Sequence, residues 1–245
     1  MLNYEDFQQI KDLKDKNYEA YTIIKKMSDF CLNTLSISFH DIKNHIAYIS
    51  SYCQLAKLKN EPLTQTREFS RIETGLRDLT NLSTRISLLR YSFCDSDFIE
   101  YRLSDIWKNA LDTVKNYASN PSYKILNANT VENCSFKLFC NPENTAQALS
   151  EIILNAIEAC QTGNAVLSVS LSEQDDFLHL SISDNGSGFS DEMLVEGMNP
   201  FVTEKANHTG LGLCIAAITL CMQNGNLQLS NTDNGAKVTA VFPRL

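Results

Sequence analysis

A carboxylate and two glycines follow directly on an alternating apolar run in the C-terminal half of the chain. Apolar residues alternate from Leu178 to Ile182, which predicts a strand that is buried on one face and ends at Asp184. An aspartate there can accept a hydrogen bond from the exocyclic amine of a nucleotide base, and Gly186 and Gly188 let backbone approach a ligand where a Cβ would collide. Taken alone, the stretch also suits an ordinary glycine turn.

Polar residues of another kind lie on one side of a predicted helix over residues 142–161. Glu151, Asn155 and Glu158 are spaced by four and three residues, opposite an apolar stripe. A carboxylate and an amide one turn apart suit a hydrated Mg²⁺, which takes few protein oxygens together with phosphates. A solvated helix face is the alternative that this spacing alone leaves open.

Between residues 190 and 209 no clear periodicity survives, which predicts a mobile loop. The loop contains Phe201, which we expect to act as an apolar anchor, the hydroxyl of Thr203 and the cation of Lys205. It ends at Gly210-Leu211-Gly212, which opens an apolar helix running to about residue 223. A glycine-bearing turn at a helix N-terminus presents free backbone N–H groups and a positive dipole end to phosphates.

His40 lies on a long predicted helix, away from its apolar side. With Ile42 at the middle of the apolar stripe and about 100° per residue, His40 lies roughly 160° from the stripe and His45 roughly 60° from it. His40 therefore faces solvent among small residues, where a large partner can reach the imidazole. Asp41 follows directly and can hold the ring tautomer or take up a proton as the other nitrogen attacks an electrophile. A solvated surface histidine is the alternative.

The elements that must position these residues fall into two parts. Of nine glycines only Gly75 lies before residue 160, which predicts long helices first and strands and loops later. Apolar residues at helical spacing predict one helix over residues 19–59 and a second over residues 66–91, with a stop at Asn60-Glu61-Pro62. Two such helices form an antiparallel hairpin whose apolar stripe needs more partner surface, so we expect a dimeric four-helix bundle.

The remainder of the chain predicts a mixed α/β domain after a linker at residues 92–100. The expected elements are a helix over 103–118, strands over 123–126 and 135–140, a helix over 142–161, strands over 165–171 and 177–184, the loop, a helix to 223, and strands over 226–230 and 236–242. Residues 1–18, in which acidic and basic residues alternate, predict a solvated helical extension.

The composition is that of a globular protein and narrows its partners. The 245 residues are 43% hydrophobic and 20% charged, and a net charge of -8 gives no general affinity for nucleic acid or anionic membranes. The eight cysteines lack Cys-x-x-Cys spacing, so we expect free thiols. No apolar run approaches the about 20 residues of a membrane span, and the first residues lack the features of a signal peptide, which is typical of a cytoplasmic protein.

Together, in this order and spacing, these stretches resemble the two-domain core of bacterial sensor histidine kinases, whose ATP-binding domain belongs to the gyrase, Hsp90, kinase and MutL (GHKL) superfamily. The resemblance covers about residues 20–245: Ser38–Asn44 resembles the H box, Glu151–Ala159 the N box, Asp184–Gly188 the G1 box, Pro200–Lys205 the F box and Gly210–Leu213 the G2 box. The chain departs from the pattern at two positions. His45 stands where many members carry a proline, and His208 where the G2 box has its first glycine.

The resemblance implies a reaction and a role for each residue. By that match His40 is the phosphoacceptor, Asp41 its acidic helper, Asn155 the Mg²⁺ ligand and Asp184 the adenine partner, and Gly210 and Gly212 contact phosphate. The nucleotide site also includes Glu151, Gly186, Gly188, Thr203, Lys205 and Leu211. Residues 189–209 correspond to the ATP lid, and are called the lid below. The implied reaction is ATP- and Mg²⁺-dependent autophosphorylation of His40, followed by transfer to an aspartate of a response regulator, whose dephosphorylation Asp41 and Asn44 would also support.

These inferences predict an α+β protein in four parts. They are a helical extension (1–18), a dimerisation and histidine phosphotransfer hairpin (19–94), a linker (95–100) and an α/β-sandwich ATP-binding domain of the GHKL type (101–245). The expected partners are a second copy of the chain and a response regulator receiver domain, with no nucleic acid and no membrane segment. The input either arrives through a separate sensor protein, or residues 1–18 are the tail end of a longer protein.

Two other functions stay open at this point. A phosphorelay histidine phosphotransferase of the sporulation type shares the hairpin and a kinase-like second domain but binds no ATP, and the intact residues of the N, G1 and G2 boxes argue against it. A non-catalytic dimeric adaptor is the other alternative, and it predicts that His40 can be replaced without consequence.

Overall fold

The computed structural model describes residues 4–59, 61–93, 96–117, 123–160, 164–205 and 208–245. The chain divides into two compact units, one over Gln9–Arg90 and the other containing Tyr91–Leu245. The predicted domain boundary between residues 94 and 95 lies outside the described residues, as do Asn60 and the predicted helix ends at Ala118 and Gln161. The four-part division of the chain therefore stays a prediction.

The N-terminal region is helical. Its elements are α1 (Tyr4–Lys16), α2 (Tyr18–Lys59), α3 (Glu61–Thr64) and α4 (Arg67–Ser92). Neither glycine nor proline interrupts α2, which explains its length. Lys57 Nζ pairs with Glu73 Oε1 at 2.5 Å, and Lys43 Nζ donates a hydrogen bond to Ser87 Oγ at 2.8 Å. The earlier of these two residues in α2, Lys43, contacts the later residue in α4, Ser87, so the two helices run antiparallel, as the sequence predicts.

The other unit contains the mixed part of the fold. Its elements are β1 (Ile99–Arg102), α5 (Leu103–Tyr117), β2 (Tyr123–Leu126), α6 (Asn129–Glu132), β3 (Lys137–Cys140), α7 (Pro142–Ala159), β4 (Ala165–Gln174), β5 (Phe177–Ser183), α8 (Asp191–Glu196), α9 (Gly212–Met222), β6 (Asn226–Thr232) and β7 (Gly235–Pro243). The longer elements agree with prediction to within a few residues. The sequence missed α6 and α8, and β1 occupies the end of the stretch that was predicted to be a linker.

A five-stranded sheet in the order β2-β4-β5-β7-β6 carries the site. Only the β2–β4 pair is parallel among these neighbours. In the antiparallel register Ile182 lies opposite Val169 on one side and Val238 on the other. All three are buried, so they form one apolar row across the sheet. The alternation that predicted β5 is thereby confirmed.

Helices α5, α7 and α9 complete the core of this unit. Trp107 of α5 and Leu149 and Ile153 of α7 are fully buried with the sheet residues. Asn141 Oδ1 accepts a hydrogen bond from the backbone N–H of Asn144, and Pro142 follows in the first turn, so α7 begins at a defined residue. Among the described residues, no helix combines the length and the apolar character that crossing a membrane requires.

Candidate functional site

Asp184 is a buried carboxylate fixed by backbone at the end of β5. Only 6% of the residue is exposed. Its Oδ1 accepts hydrogen bonds from the backbone N–H groups of Gly186, at 2.8 Å, and of Ala236, at 3.2 Å. Its own N–H donates to Ala236 O at 2.9 Å. Because these bonds hold the carboxyl group in one orientation, Asp184 is a preorganised acceptor for a ligand with an N–H group.

Gly186 brings the loop after β5 against the end of α7. A Cβ at this position would lie 2.9 Å from both the Cβ and the carbonyl oxygen of Ala159. A side chain would therefore push the loop away from the helix. The close approach puts Asp184 and the polar side of α7 into a single site.

Asn155 and Lys205, which the sequence analysis took from different elements, are in contact. Lys205 Nζ donates hydrogen bonds to Asn155 Oδ1 at 2.9 Å and to Asn155 O at 3.1 Å, and it lies 3.7 Å from Glu158 Oε2. Burial lowers the pKa of Lys205, and the charges of Glu158 and Asp184 oppose that shift. The amide oxygen of Asn155 thus receives a cation, so its chemistry fits a metal ion that is bound mainly through phosphates.

Glu151 lies one turn before Asn155 but makes different contacts. It is buried, and its Oε1 accepts a hydrogen bond from Gln147 Nε2 at 2.9 Å. The structure therefore brings Asn155 and Glu158 together at Lys205, while Glu151 is hydrogen-bonded to Gln147 of the same helix. His208, which departs from the G2 pattern, lies with its Nδ1 3.4 Å from Glu158 Oε2.

The glycine turn at the start of α9 follows the last residue of the lid. Gly210 has a φ of +64°, and a Cβ there would lie 2.6 Å from Phe201 C, so a glycine is required. Leu211 is buried and is the N-cap of α9, which has no side-chain cap hydrogen bond. The first N–H groups of α9, from Gly212 onward, therefore suit an anionic ligand. The expectation that Phe201 anchors the lid is wrong, because 53% of this residue is exposed.

Two asparagines that the sequence analysis did not single out hold the loop after β5. Asn231 of β6 accepts a hydrogen bond from Phe189 N at its Oδ1 and donates one from its Nδ2 to Phe189 O, both at 2.8 Å. Asn185 Oδ1 accepts from the backbone N–H of Val166 at 2.8 Å. Gly188 lies between these two fixed points. No local pattern marks either asparagine, since each acts across tens of residues.

Within the lid, short-range contacts shape the segment before Lys205. Thr203 Oγ1 accepts a hydrogen bond from Lys205 N at 3.2 Å. Ser190 caps α8 by accepting a hydrogen bond from Met193 N at 3.1 Å, and it donates to Glu204 Oε1 at 2.5 Å. The predicted loop is therefore ordered in part by its own polar residues.

His40, Asp41 and Asn44 form a separate cluster on α2. The side chain of His40 is 73% exposed, as its position off the apolar stripe predicts. Its Nδ1 lies 3.7 Å from Asp41 Oδ1 and 3.3 Å from Asn44 Nδ2. Both neighbours approach the same ring nitrogen, so Nε2 is the nitrogen that points away from them.

Residues 140–245 match the family model described as histidine kinase-, DNA gyrase B- and HSP90-like ATPase. Sporulation kinase D of Bacillus subtilis is 26% identical to this chain over 215 residues, which are 86% of this chain and 42% of that protein. The sensor histidine kinase ZraS of Escherichia coli O157:H7 is 32% identical over 104 residues, which are 42% of this chain and 22% of that protein. The chain thus spans less than half the length of either relative.

Solved structures show the same fold. The catalytic domain of histidine kinase ThkA superimposes with a TM-score of 0.51 at 19% identity, covering 61% of this chain and 97% of that one. The Acinetobacter baumannii histidine kinase AdeS gives a TM-score of 0.55 at 16% identity, covering 81% of this chain and 95% of that one. The fold class is accordingly α+β, a helical region followed by an α/β domain.

Proposed function

We propose that this chain, whose residues 140–245 match the histidine kinase-, DNA gyrase B- and HSP90-like ATPase family, is a protein histidine kinase that uses ATP to phosphorylate its own His40. One observation carries the proposal: a fixed carboxylate acceptor at Asp184 and a cation-bearing amide at Asn155 lie in one site, brought together where Gly186 abuts α7. The first suits the amine of adenine, and the second suits the metal that accompanies a triphosphate.

In this proposal the chain binds ATP from both ends. Asp184 accepts a hydrogen bond from the adenine amino group, and Gly188 keeps the loop backbone close to the base. At the other end, the N–H groups at Gly210, Leu211 and Gly212 contact the phosphates, aided by the positive end of the α9 dipole. Glu151, Thr203 and Lys205 complete the site. Asn155 would hold Mg²⁺, which supplies charge neutralisation of the phosphates when bound.

His40 supplies the nucleophile. Attack by Nε2 requires the tautomer with a proton on Nδ1, and rotation of the Asn44 amide by 180° then turns its oxygen toward that proton. The Nε2 lone pair forms the N–P bond while the bond from the γ-phosphorus to the bridging oxygen breaks, and its electron pair leaves on ADP. Asp41 Oδ1, 3.7 Å from Nδ1, is placed to take up the proton that the phosphorylated ring releases.

Dimerisation of the hairpin belongs to the proposal as well. Several residues of its predicted apolar stripe remain 44–65% exposed, namely Met27, Ile42, Ile49, Ile72 and Leu79. An apolar stripe of this kind on a two-helix hairpin favours association with a second copy into a four-helix bundle. A second copy of the chain is thus the partner that would bury these side chains in a homodimer.

The phosphoryl group then passes to an aspartate of a response regulator receiver domain. The exposed His40 leaves room for such a partner, and Asp41 and Asn44 beside it would also support dephosphorylation of the regulator. Because ATP is the substrate, the proposal places the reaction in the cytoplasm. A separate sensor protein remains one of the two sources of input that the sequence leaves open.

The direct test is incubation of the protein with γ-labelled ATP and Mg²⁺. We expect a label on the protein that is stable to base and lost in acid, as a phosphorylated histidine requires. His40→Gln should abolish it. His45→Gln is the matched control, since His45 is an exposed histidine on the same helix, and it should keep the label.

A second measurement separates the proposal from its alternatives. ATP binding, measured by calorimetric titration, should be retained in His40→Gln, because His40 takes no part in holding the nucleotide. A folded wild-type protein that binds no ATP would indicate a phosphorelay phosphotransferase. One that binds ATP but takes up no label would indicate a non-catalytic adaptor.

A further inference from the structure

Lys205 joins the lid to α7 through three oxygen atoms. Its ammonium donates hydrogen bonds to the side-chain and backbone oxygens of Asn155, at 2.9 and 3.1 Å, and lies 3.7 Å from Glu158 Oε2. The side chain of Lys205 is 29% exposed. In such a partly buried place, contacts between charges are stronger than on an open surface.

Glu158 is the point on which lid residues converge. His208, three residues further along the chain than Lys205, lies with its Nδ1 3.4 Å from the same Glu158 Oε2. Asp184 adds a second negative charge that acts on Lys205. The proposed function uses Asn155 and Lys205, but it leaves the carboxylate of Glu158 without a role.

We infer that Glu158 is a positioning residue, which holds the Lys205 ammonium on Asn155 Oδ1 so that Lys205 must leave this oxygen before a metal–nucleotide complex can use it. The inference rests on the proposed function, in which Asn155 ligates Mg²⁺. An ammonium 2.9 Å from Oδ1 and a Mg²⁺ at about 2.0–2.1 Å from it would place two cations side by side on one acceptor. Their repulsion favours one at a time.

When Mg²⁺ replaces the Lys205 ammonium on Asn155 Oδ1, the phosphates of the nucleotide offer the lysine a new partner. Lys205 leaves a single carboxylate, Glu158, and meets a triphosphate, which carries more negative charge. The lid would therefore be held to α7 before binding and to the ligand afterwards. Glu158 sets the balance between these two arrangements without touching the nucleotide.

This role makes a prediction that simple charge repulsion does not. If Glu158 only repelled phosphates, Glu158→Gln would favour the metal-free nucleotide most, because that form carries the greater negative charge. If Glu158 holds Lys205 on the oxygen that the metal needs, Glu158→Gln favours the metal-bound nucleotide more than the metal-free nucleotide, because only the metal competes with Lys205 for Asn155 Oδ1.

The binding test compares Glu158→Gln, Lys205→Met and the double variant, with Glu143→Gln as the matched control, an exposed carboxylate on the same helix. Calorimetric titrations use an ATP analogue that cannot transfer its γ-phosphoryl group, with Mg²⁺ or with EDTA. We expect Glu158→Gln to tighten binding in Mg²⁺ about two- to fivefold, with a smaller gain in EDTA and none when residue 205 is already changed. An equal gain in EDTA, or a gain that survives in the double variant, overturns the inference.

Proteolysis without nucleotide gives an independent readout. Phe201 is an exposed chymotrypsin site within the lid. Glu158→Gln and Lys205→Met should each speed cleavage after Phe201 about two- to fivefold, and the double variant should be no faster than either. Glu158→Asp, which keeps the charge but shortens the reach by one methylene, should also speed cleavage, whereas Glu143→Gln should not.

The two readouts keep the failures apart. A wild-type protein that binds no nucleotide refutes the proposed function and this inference with it. A wild-type protein that binds nucleotide, but whose lid is cleaved at the same rate in Glu158→Gln, refutes the inference alone.

Discussion

Replacing Asp184 by asparagine should separate the contribution of this carboxylate to folding stability from its contribution to ligand binding. Both backbone N–H groups that bond to the side chain, those of Gly186 and Ala236, bond to Oδ1. The amide oxygen of Asp184→Asn can accept the same two bonds. A hydrogen bond to a charged acceptor stabilises by about 1 kcal/mol more than one to a neutral acceptor. The loss should therefore be about 2 kcal/mol at most, since removing a buried charge offsets part of it.

The effect on nucleotide binding should be larger than the effect on stability. In the proposed function, an amide NH₂ would replace the oxygen that accepts the adenine amino group, so two donors would face each other. Losing a bond to a charged group and leaving donors unpaired costs about 3–5 kcal/mol in total, which is roughly a 150- to 4,000-fold weaker Kd. A 6-oxo purine accepts from the same NH₂, so Asp184→Asn should bind inosine triphosphate as well as, or better than, ATP.

The assay is a pair of calorimetric titrations, with ATP and with inosine triphosphate, on wild type and Asp184→Asn, together with urea unfolding of both. Asp175→Asn is the matched control, because Asp175 lies in the exposed turn between β4 and β5 with a φ of 52° that asparagine also adopts. If Asp184→Asn weakened both nucleotides equally while remaining folded, the assignment of Asp184 to the adenine amino group would be refuted.

Three further outcomes follow from individual residues. Gly210→Ala puts a methyl group on a residue with a φ of +64° and 2.6 Å from neighbouring backbone, so urea unfolding should show a loss of about 1–3 kcal/mol and nucleotide titration a weaker Kd. Burial raises the pKa of Cys214 from 9.0 to about 12, so at pH 8 a thiol reagent should leave Cys214 unmodified in the folded protein and modify it once urea unfolds the chain. The stabilisation by the neutral Cys214 thiol should be fully present below the pKa of the unfolded thiol and should be lost as the pH rises toward 12. The alkaline unfolding curve of Cys214→Ala should lack this pH-dependent loss. Thr145→Val removes the hydroxyl that bonds to buried Gln223 at 3.0 Å and should cost about 1–3 kcal/mol in urea unfolding, of which added Gln223→Leu should restore a part.

Local sequence patterns predicted the elements whose residues repeat with a fixed period. The alternation in β5 and the helical spacing in α2 and α4 each require only neighbouring residues, so their bounds were predictable. Ser190, followed by two acidic residues, was a usable start signal for α8, but six residues are too few to show a period. Strand β1 has no pattern of its own, because it is defined by pairing with β3.

Some residues of the candidate site were likewise predictable from local patterns, and others were not. The residue types at Asp184, Asn155 and Gly210 could be selected by the chemistry that each allows, since each stands at the end or on the polar side of a predicted element. Contacts that depend on the fold were not accessible. Lys205 meets Asn155 across 50 residues of chain, and the two bonds from Asn231 to Phe189 span 42 residues. Phe201 was misassigned because an apolar side chain in a loop does not reveal whether any partner surrounds it.

The clamp between Asn231 and Phe189 has a consequence for how this domain can diversify. Phe189, the first lid residue, is tied to β6 by Asn231, and the backbone N–H of Phe201 donates a hydrogen bond to Gly210 O at 3.0 Å, so the lid residues between them form a module between two fixed points. Closing a longer loop between such points costs only about 0.6 kcal/mol for each doubling of its length. This module can therefore be lengthened or shortened while Asp184, Thr203 and Lys205 keep their places, which makes this part of the lid the natural site for grafting a new regulatory input onto the proposed nucleotide pocket.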